Sequence, residues 1–173
     1  MKKAFVLVDY QNDFIDGSLG FQKAKLIKEN ILEKLSSLDF QTTHLFITFD
    51  THDERYFESR EGKHLYTLHC QKNTQGWQMP NEFEPFLQKA TKIFYKNTFG
   101  SLELANFLQD FEYEEIEFCG LISHICVFHT LILAFNALPK TKFILHKNLT
   151  TSFDESLQNS AFALLASYGV ELL

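Results

Sequence analysis

With 173 residues the chain is long enough for one domain that buries roughly 70% of its unfolded surface, so it needs no covalent staples. Its 22 acidic and 16 basic side chains are interspersed and sum to −6, which argues against a nucleic-acid or anionic-membrane partner and favours small molecules. Three cysteines, no charged-then-apolar leader and no apolar run near the roughly 18 residues of a membrane span make free thiols in a reducing cytoplasm the expectation.

The first apolar run, "AFVLVD" (4–9), reads as a strand closed by Asp9. Apolar residues at Leu26, Ile27, Ile31, Leu32 and Leu35 follow at helical spacing. "HLFITFD" (44–50) is a second strand, closed by Asp50. "KIFY" (92–95) is a third, followed by Lys96, and a Ser-led helix is expected over 101–110. "EIEFCG" (115–120) leads through "GLISHIC" into a helix over 123–138. "KFILH" (142–146), a helix over 156–169 and the terminal "GVELL" complete the alternation, with no linker or repeat dividing the chain. Strands apolar on both faces, alternating with helices, predict a single-domain α/β fold: a three-layer α/β/α architecture around a mostly parallel, roughly six-stranded sheet.

Ligands of such sheets bind outside the carboxyl ends of the strands. Asp9, Asp50, Lys96 and the turn carrying Cys126 all fall on that rim. Singly, each has a plain structural reading: Asp9 as a turn cap, Lys96 as a solvated cation, Cys126 as a small buried hydrophobe. Together they offer a nucleophile, a proton carrier and a cation, the set that cysteine-based acyl transfer uses. A helix N-terminus and a nearby lysine are expected to lower the Cys126 pKa, whereas the direction for Asp9 depends on burial against Lys96. Four histidines, His44, His52, His64 and His69, crowd the stretch 44–69, with Asp50 and His52 two residues apart. They read either as ordinary loop residues or as part of a metal site.

"FVLVDYQNDF" (5–14), "FYKNTFGSL" (94–102) and "GLISHICVFHT" (120–130) resemble the three catalytic segments of the isochorismatase-like cysteine hydrolases. The third departs from the common Thr-Asp-x-Cys-Val form, reading Ser123, His124, Ile125, Cys126, Val127. The resemblance implies Cys126 as nucleophile, Asp9 as general acid/base and Lys96 as the neighbouring cation. It also implies an oxyanion hole from the backbone N–H groups of Ile122 and Cys126, with a cis peptide before Ile122. The Asp-x-His pair and His69 bring the chain nearest to the nicotinamidase (pyrazinamidase) branch of the family, which converts nicotinamide to nicotinate and ammonia in NAD salvage. On that likeness Asp50, His52 and His69 are metal ligands, with Glu61, or else Glu58, in place of a third histidine. One divalent transition metal is implied, Zn²⁺ first, with Mn²⁺ or Fe²⁺ as alternatives. Phe14, Tyr66 and Phe99 fall where the family puts rings around its substrate, and a homo-oligomer is compatible with the pattern. Other outcomes within the family are hydrolysis of a carbamoyl or ureido amide, hydrolysis of isochorismate, or an inactive binding member. Cys119 is expected to be structural, and Cys70 to point away from the side that His69 faces.

Overall fold

A computed structural model describes residues 2–173. In chain order the strands are β1 (Lys2–Val8), β2 (Thr43–Asp50), β3 (Lys92–Lys96), β4 (Tyr113–Gly120), β5 (Lys142–Thr150) and β6 (Glu171–Leu172). The helices are α1 (Asn12–Ile15), α2 (Gln22–Leu26), α3 (Lys28–Ser36), α4 (Arg60–His64), α5 (Glu84–Lys89), α6 (Leu102–Leu108), α7 (Phe128–Ala137) and α8 (Glu155–Ser167). All six strands pair in parallel in the order β3-β2-β1-β4-β5-β6. The expected parallel α/β sheet is therefore the observed one. Among the described residues no helix is long and apolar enough to cross a membrane.

Alternation along β1 shows how the sequence makes three layers. Phe5 and Leu7 point to one face, where they pack with Ile31 and Leu35 of α3 and Phe86 of α5. Ala4, Val6 and Val8 point to the other, against Leu104 of α6, Leu131 of α7 and Leu165 of α8. A strand whose period-two faces are both apolar has no solvent side, so helices must cover both.

Two expected elements differ in detail. The helix expected to run through Leu26 and Leu35 is two helices that join at Ile27, and Leu26 is 70% exposed. The helix expected from Ser123 begins as a π-helical turn, Ser123–Val127, before α7. The short helices α4 and α5 have no counterpart in the sequence reading, because five or six residues are too few to display a period.

Register aligns the strand ends. Val8 is level with Thr48 of β2 and with Gly120 of β4, and Asp50 is level with Lys96 of β3. The order reverses between β1 and β4, which opens a crevice at their carboxyl ends. Gly120 has φ +113°, and a Cβ there would lie 2.0 Å from the Val8 carbonyl oxygen, so only glycine lets β4 end this close to β1.

Candidate active site

The turn after β1 organises the rim. Asp9 adopts φ 46°, a left-handed conformation that few non-glycine residues take. Tyr10 donates its hydroxyl to the Ala24 carbonyl at 2.7 Å. Gln11 is fully buried and grips the end of β2: its Oε1 accepts from the Asp50 N–H at 2.8 Å and its Nε2 donates to the Asp50 carbonyl at 2.9 Å. Asn12 donates to the Gln75 carbonyl, and Asp13 Oδ2 accepts from the Cys70 N–H at 2.7 Å. Phe14 turns its ring to His69, with centroids 5.5 Å apart. Tyr10 thus ties the end of β1 to α2, and Gln11, Asn12, Asp13 and Phe14 tie it to the segments around the site. No role was expected for Gln11 or Asp13, although both lie within the segment 5–14 that carries the family resemblance.

Asp9, Asp50 and Lys96 form a buried charged group. Lys96 Nζ lies 2.5 Å from Asp9 Oδ2 and 3.5 Å from Asp50 Oδ1, and it donates to the Thr98 carbonyl at 3.0 Å. Asp9 Oδ1 accepts from the Thr48 hydroxyl at 2.6 Å, whereas Oδ2 faces Lys96 without an aligned hydrogen bond. Burial opposes the lysine charge, but the two carboxylates hold it protonated well above the ordinary range. Burial raises the Asp9 pKa, with Lys96 opposing and Asp50 reinforcing. The balance left open by the sequence therefore falls on the side of burial.

Cys126 departs from expectation. Its thiol is held well above the usual range: burial disfavours the thiolate first, Lys96 opposes this, and the Asp9 and Asp50 carboxylates add to burial. The lysine is already shared by two carboxylates, so it does not ionise the thiol in the resting site. Cys126 also sits in the fourth position of the π-helical turn rather than in its first residues. The peptide Leu121–Ile122 is cis. Among the described residues, neither the Ile122 nor the Cys126 N–H donates to a group outside its own helical turn. His124 and His129 engage Ser152 and the Ile125 carbonyl respectively, not the thiol.

Asp50, His52, Glu61 and His69 form a second cluster, with one donor atom from each lying within 4.8 Å of the others. His52 N–H donates to the Cys70 carbonyl and Lys72 N–H to the His52 carbonyl, which pins His52 beside the segment carrying His69. Ser59 caps α4 by accepting from the Gly62 N–H at 2.8 Å, and a Cβ on Gly62 would lie 2.2 Å from the Tyr56 carbonyl oxygen. This close approach is what carries Glu61 to the cluster. Asp50 Oδ2 lies 3.0 Å from His52 Nε2 and 3.2 Å from His69 Nε2, and Glu61 Oε1 lies 3.9 and 3.4 Å from the same nitrogens. Donors bound to one ion at about 2.0–2.1 Å in a tetrahedron stand about 3.3 Å apart, a spacing that the 3.0–3.9 Å between these carboxylate oxygens and imidazole nitrogens brackets. His69 Nδ1 lies 2.9 Å from the Thr67 carbonyl, to which it donates, leaving Nε2 to face the cluster. Burial disfavours a charged His69, yet hydrogen bonds to Asp50 and Glu61 raise its pKa to about 10. The cluster therefore attracts positive charge. Burial likewise opposes the Asp50 carboxylate, but Lys96, His52 and His69 hold it below the usual carboxylate range. Glu58 is exposed and stands apart from these four donors.

Asp50, Glu61 and His69 reach one cavity of ≈ 860 Å³, whose wall also includes Cys126, Ile122, Phe14 and Phe99, while Asp9, Lys96 and His52 lie buried behind that wall. Tyr66 does not line it and is 79% exposed, which corrects its expected place as a ring wall. In the extended segment after α4, Leu65 and His69 face the cavity, and Tyr66, an odd number of residues from each, points to solvent. Cys70 and Cys119 are buried free thiols in the core beneath the site.

Comparison with known proteins finds relatives along the whole chain. The isochorismatase domain family model matches residues 3–173. A protein of Bacillus subtilis (strain 168), named as an uncharacterized isochorismatase family protein PncA, is 27% identical over 175 residues, covering 95% of this chain and 93% of that protein. The pyrazinamidase of Pyrococcus horikoshii, solved in complex with zinc, superposes with a TM-score of 0.83 at 21% identity, over 100% of this chain and 99% of that one. PnC1 from L. infantum, solved in complex with nicotinate, gives 0.86 at 22% identity, over 99% and 92% of the two chains. At these identities the structural likeness establishes the fold.

Proposed function

The chain belongs to the isochorismatase family, and from that premise we propose that it is a metal-dependent amidohydrolase converting nicotinamide, and its analogue pyrazinamide, to the acid and ammonia through a thioester on Cys126. The observation that carries this reading is that Asp50 belongs to both clusters: Oδ1 faces the Lys96 ammonium and Oδ2 faces the two imidazoles. A nucleophile with its proton carrier and a ligand set for one divalent ion thus share a residue on one cavity wall. Solved relatives named for zinc and for nicotinate support it, and an enzyme of this activity would serve NAD salvage.

Asp50, His52, Glu61 and His69 would hold the ion, with Zn²⁺ favoured by the nitrogen and carboxylate donors and Mn²⁺ or Fe²⁺ as alternatives. When bound, such an ion supplies a Lewis acid for the pyridine nitrogen, orienting the ring rather than attacking it.

The chain's own residues perform the bond changes. Asp9 takes the Cys126 proton as sulfur attacks the carboxamide carbon, so the thiol ionises only when substrate is present. This suits a thiol and a carboxyl whose pKa values are both raised in the resting site. The Ile122 and Cys126 N–H groups receive the oxyanion, where each donor is worth roughly 10² to 10³ in rate. Asp9 then returns the proton to nitrogen, the C–N bond breaks and ammonia leaves. In the second half Asp9 takes a proton from water, hydroxide adds to the thioester, the C–S bond breaks and the proton returns to sulfur. Lys96 keeps the Asp9 carboxylate oriented and offsets its charge as the proton moves. Phe14 and Phe99 flank the flat ring.

Ammonia release from a panel of nicotinamide, pyrazinamide and an aliphatic ureido compound tests the reading. Turnover of the two heteroaromatic amides by metal-loaded protein is the expected result. Turnover confined to the ureido compound would move the assignment to another branch of the family.

A further inference from the structure

The cavity is larger than the proposed substrate requires. Its ≈ 860 Å³ stands toward the upper end of the roughly 300–1,000 Å³ that encloses drug-sized ligands, whereas nicotinamide is one six-membered ring with an amide. Exposure orders the wall from floor to mouth. Cys126, Ile122, Asp50 and His69 are each exposed by 4% or less, Phe99 by 37% and Phe153 by 60%.

One side of the outer wall is apolar, while Arg60, His64, Asn97 and Thr98 make the rest of the mouth polar. Leu19 and Phe21 come from the loop between α1 and α2, and Phe153 comes from the loop between β5 and α8. The Phe21 and Phe153 rings meet edge to face with centroids 6.0 Å apart, joining the two loops across the mouth. Leu19, Phe21 and Phe153 together make a contiguous apolar patch on the cavity rim, the kind of surface that marks a ligand-binding groove.

Ring chemistry says what the ligand carries there. In a pyridine-3-carboxamide with its ring nitrogen at the Asp50, His52, Glu61, His69 cluster and its amide at Cys126, both anchors lie on the floor. They flank C2, so C5, the ring carbon opposite C2, faces the mouth. The geometry points to a second, apolar subsite in which Leu19, Phe21 and Phe153 receive a hydrocarbon group on C5, making 5-alkyl pyridine-3-carboxamides substrates of this chain. The inference rests on the amidase reading above and adds no chemical step to it.

Steady-state ammonia release by the metal-loaded full chain, from nicotinamide and from its 5-methyl and 5-butyl derivatives, provides the test. Burying one methylene is worth about fourfold, so a butyl group that buries about half of its carbons at this open rim should raise kcat/KM over nicotinamide by on the order of tenfold. Phe153→Ala, at a largely exposed position that leaves the core untouched, should lower the butyl-to-nicotinamide ratio by about fivefold. In protein that hydrolyses nicotinamide, a butyl-to-nicotinamide ratio of one or less, or a ratio that Phe153→Ala leaves unchanged, overturns the inference and leaves the amidase reading standing. Ammonia from none of the three compounds overturns the amidase reading itself.

Discussion

Asp50 and Lys96 face each other across the last register pair of β2 and β3, with Oδ1 3.5 Å from Nζ, while the other oxygen of Asp50 faces two histidines. One carboxylate thereby ties the proton-transfer group to the metal-type cluster. Taking such charges out of water is costly, and the cost is offset only because every one has a partner of opposite charge or a good donor.

Replacing Cys126 by Ala should abolish ammonia release, by more than about 1,000-fold, with the far-ultraviolet circular dichroism unchanged. The change deletes one small side chain at the cavity wall. Near-normal turnover by folded Cys126→Ala protein would rule out the thioester.

Asp9 and Lys96 should move the thiol in opposite directions. Besides burial, Asp9 raises the Cys126 pKa and Lys96 lowers it. The pH dependence of alkylation in metal-loaded protein should therefore shift down in Asp9→Asn and up in Lys96→Ala. Both should lose on the order of 10² to 10⁴ in kcat. Lys96→Ala should also lose about 3–5 kcal/mol of stability, because it strands buried carboxylates. Shifts of the same sign in the two variants would contradict the charge arrangement described here.

Chelation should remove nicotinamide hydrolysis, and Zn²⁺, Mn²⁺ or Fe²⁺ should restore it. The chain's single tryptophan, Trp77, donates to the Thr51 hydroxyl at 2.9 Å beside Asp50, so its fluorescence reports loading independently of activity. Glu61→Ala should weaken retention roughly 10- to 100-fold, and Glu58→Ala should leave it near the parent value. Stoichiometric metal retained by Glu61→Ala in elemental analysis would remove Glu61 from the ligand set.

Gln11 is expected to act as a positioning residue for Asp50. Gln11→Ala leaves the Asp50 N–H and carbonyl without their buried partners, which costs about 1–3 kcal/mol for each group. Metal affinity of the folded variant should fall about tenfold in the Trp77 titration, and Gln11→Glu, which keeps the acceptor, should recover part of it. A Gln11→Ala protein that is merely less stable, with parental affinity, would reduce the residue to a packing role.

Away from the site, Glu117 accepts from His146 at 2.5 Å and pairs with Lys34 at 2.6 Å. Burial opposes its charge, but His146 and Lys34 lower its pKa from 4.5 to about 2. A depressed carboxylate stabilises the fold above its unfolded pKa and loses that contribution as pH falls through the folded one. The contribution, roughly 3 kcal/mol near neutrality, should start to decline below pH 4.5 and vanish below about 2. Urea denaturation should show Glu117→Gln less stable at pH 7, with the gap narrowing at pH 3. A gap independent of pH would mean that the ion pair contributes nothing.

Much of this protein was determined by its linear order. Period-two apolar runs alternating with helical ones dictate a covered parallel sheet, and strands that end in Asp9, Asp50 and Lys96 dictate that polar chemistry gathers at one rim. His52 stands out two residues after Asp50, but four histidines crowd that stretch, and it was the family resemblance that singled out His69 as its companion. The tertiary structure decided what depends on depth and direction. Glu61 rather than Glu58 reaches the cluster of Asp50, His52 and His69 because Gly62 lets α4 close on the Tyr56 carbonyl. Tyr66 leaves the cavity because side chains alternate along an extended segment, a parity that no motif spacing carries. The thiol of Cys126 stays protonated because burial and two carboxylates outweigh one lysine. Residue types and spacing tell which charges meet, but the sign of a pKa shift depends on how much water is excluded and how many partners share each charge, and only the packed chain fixes those.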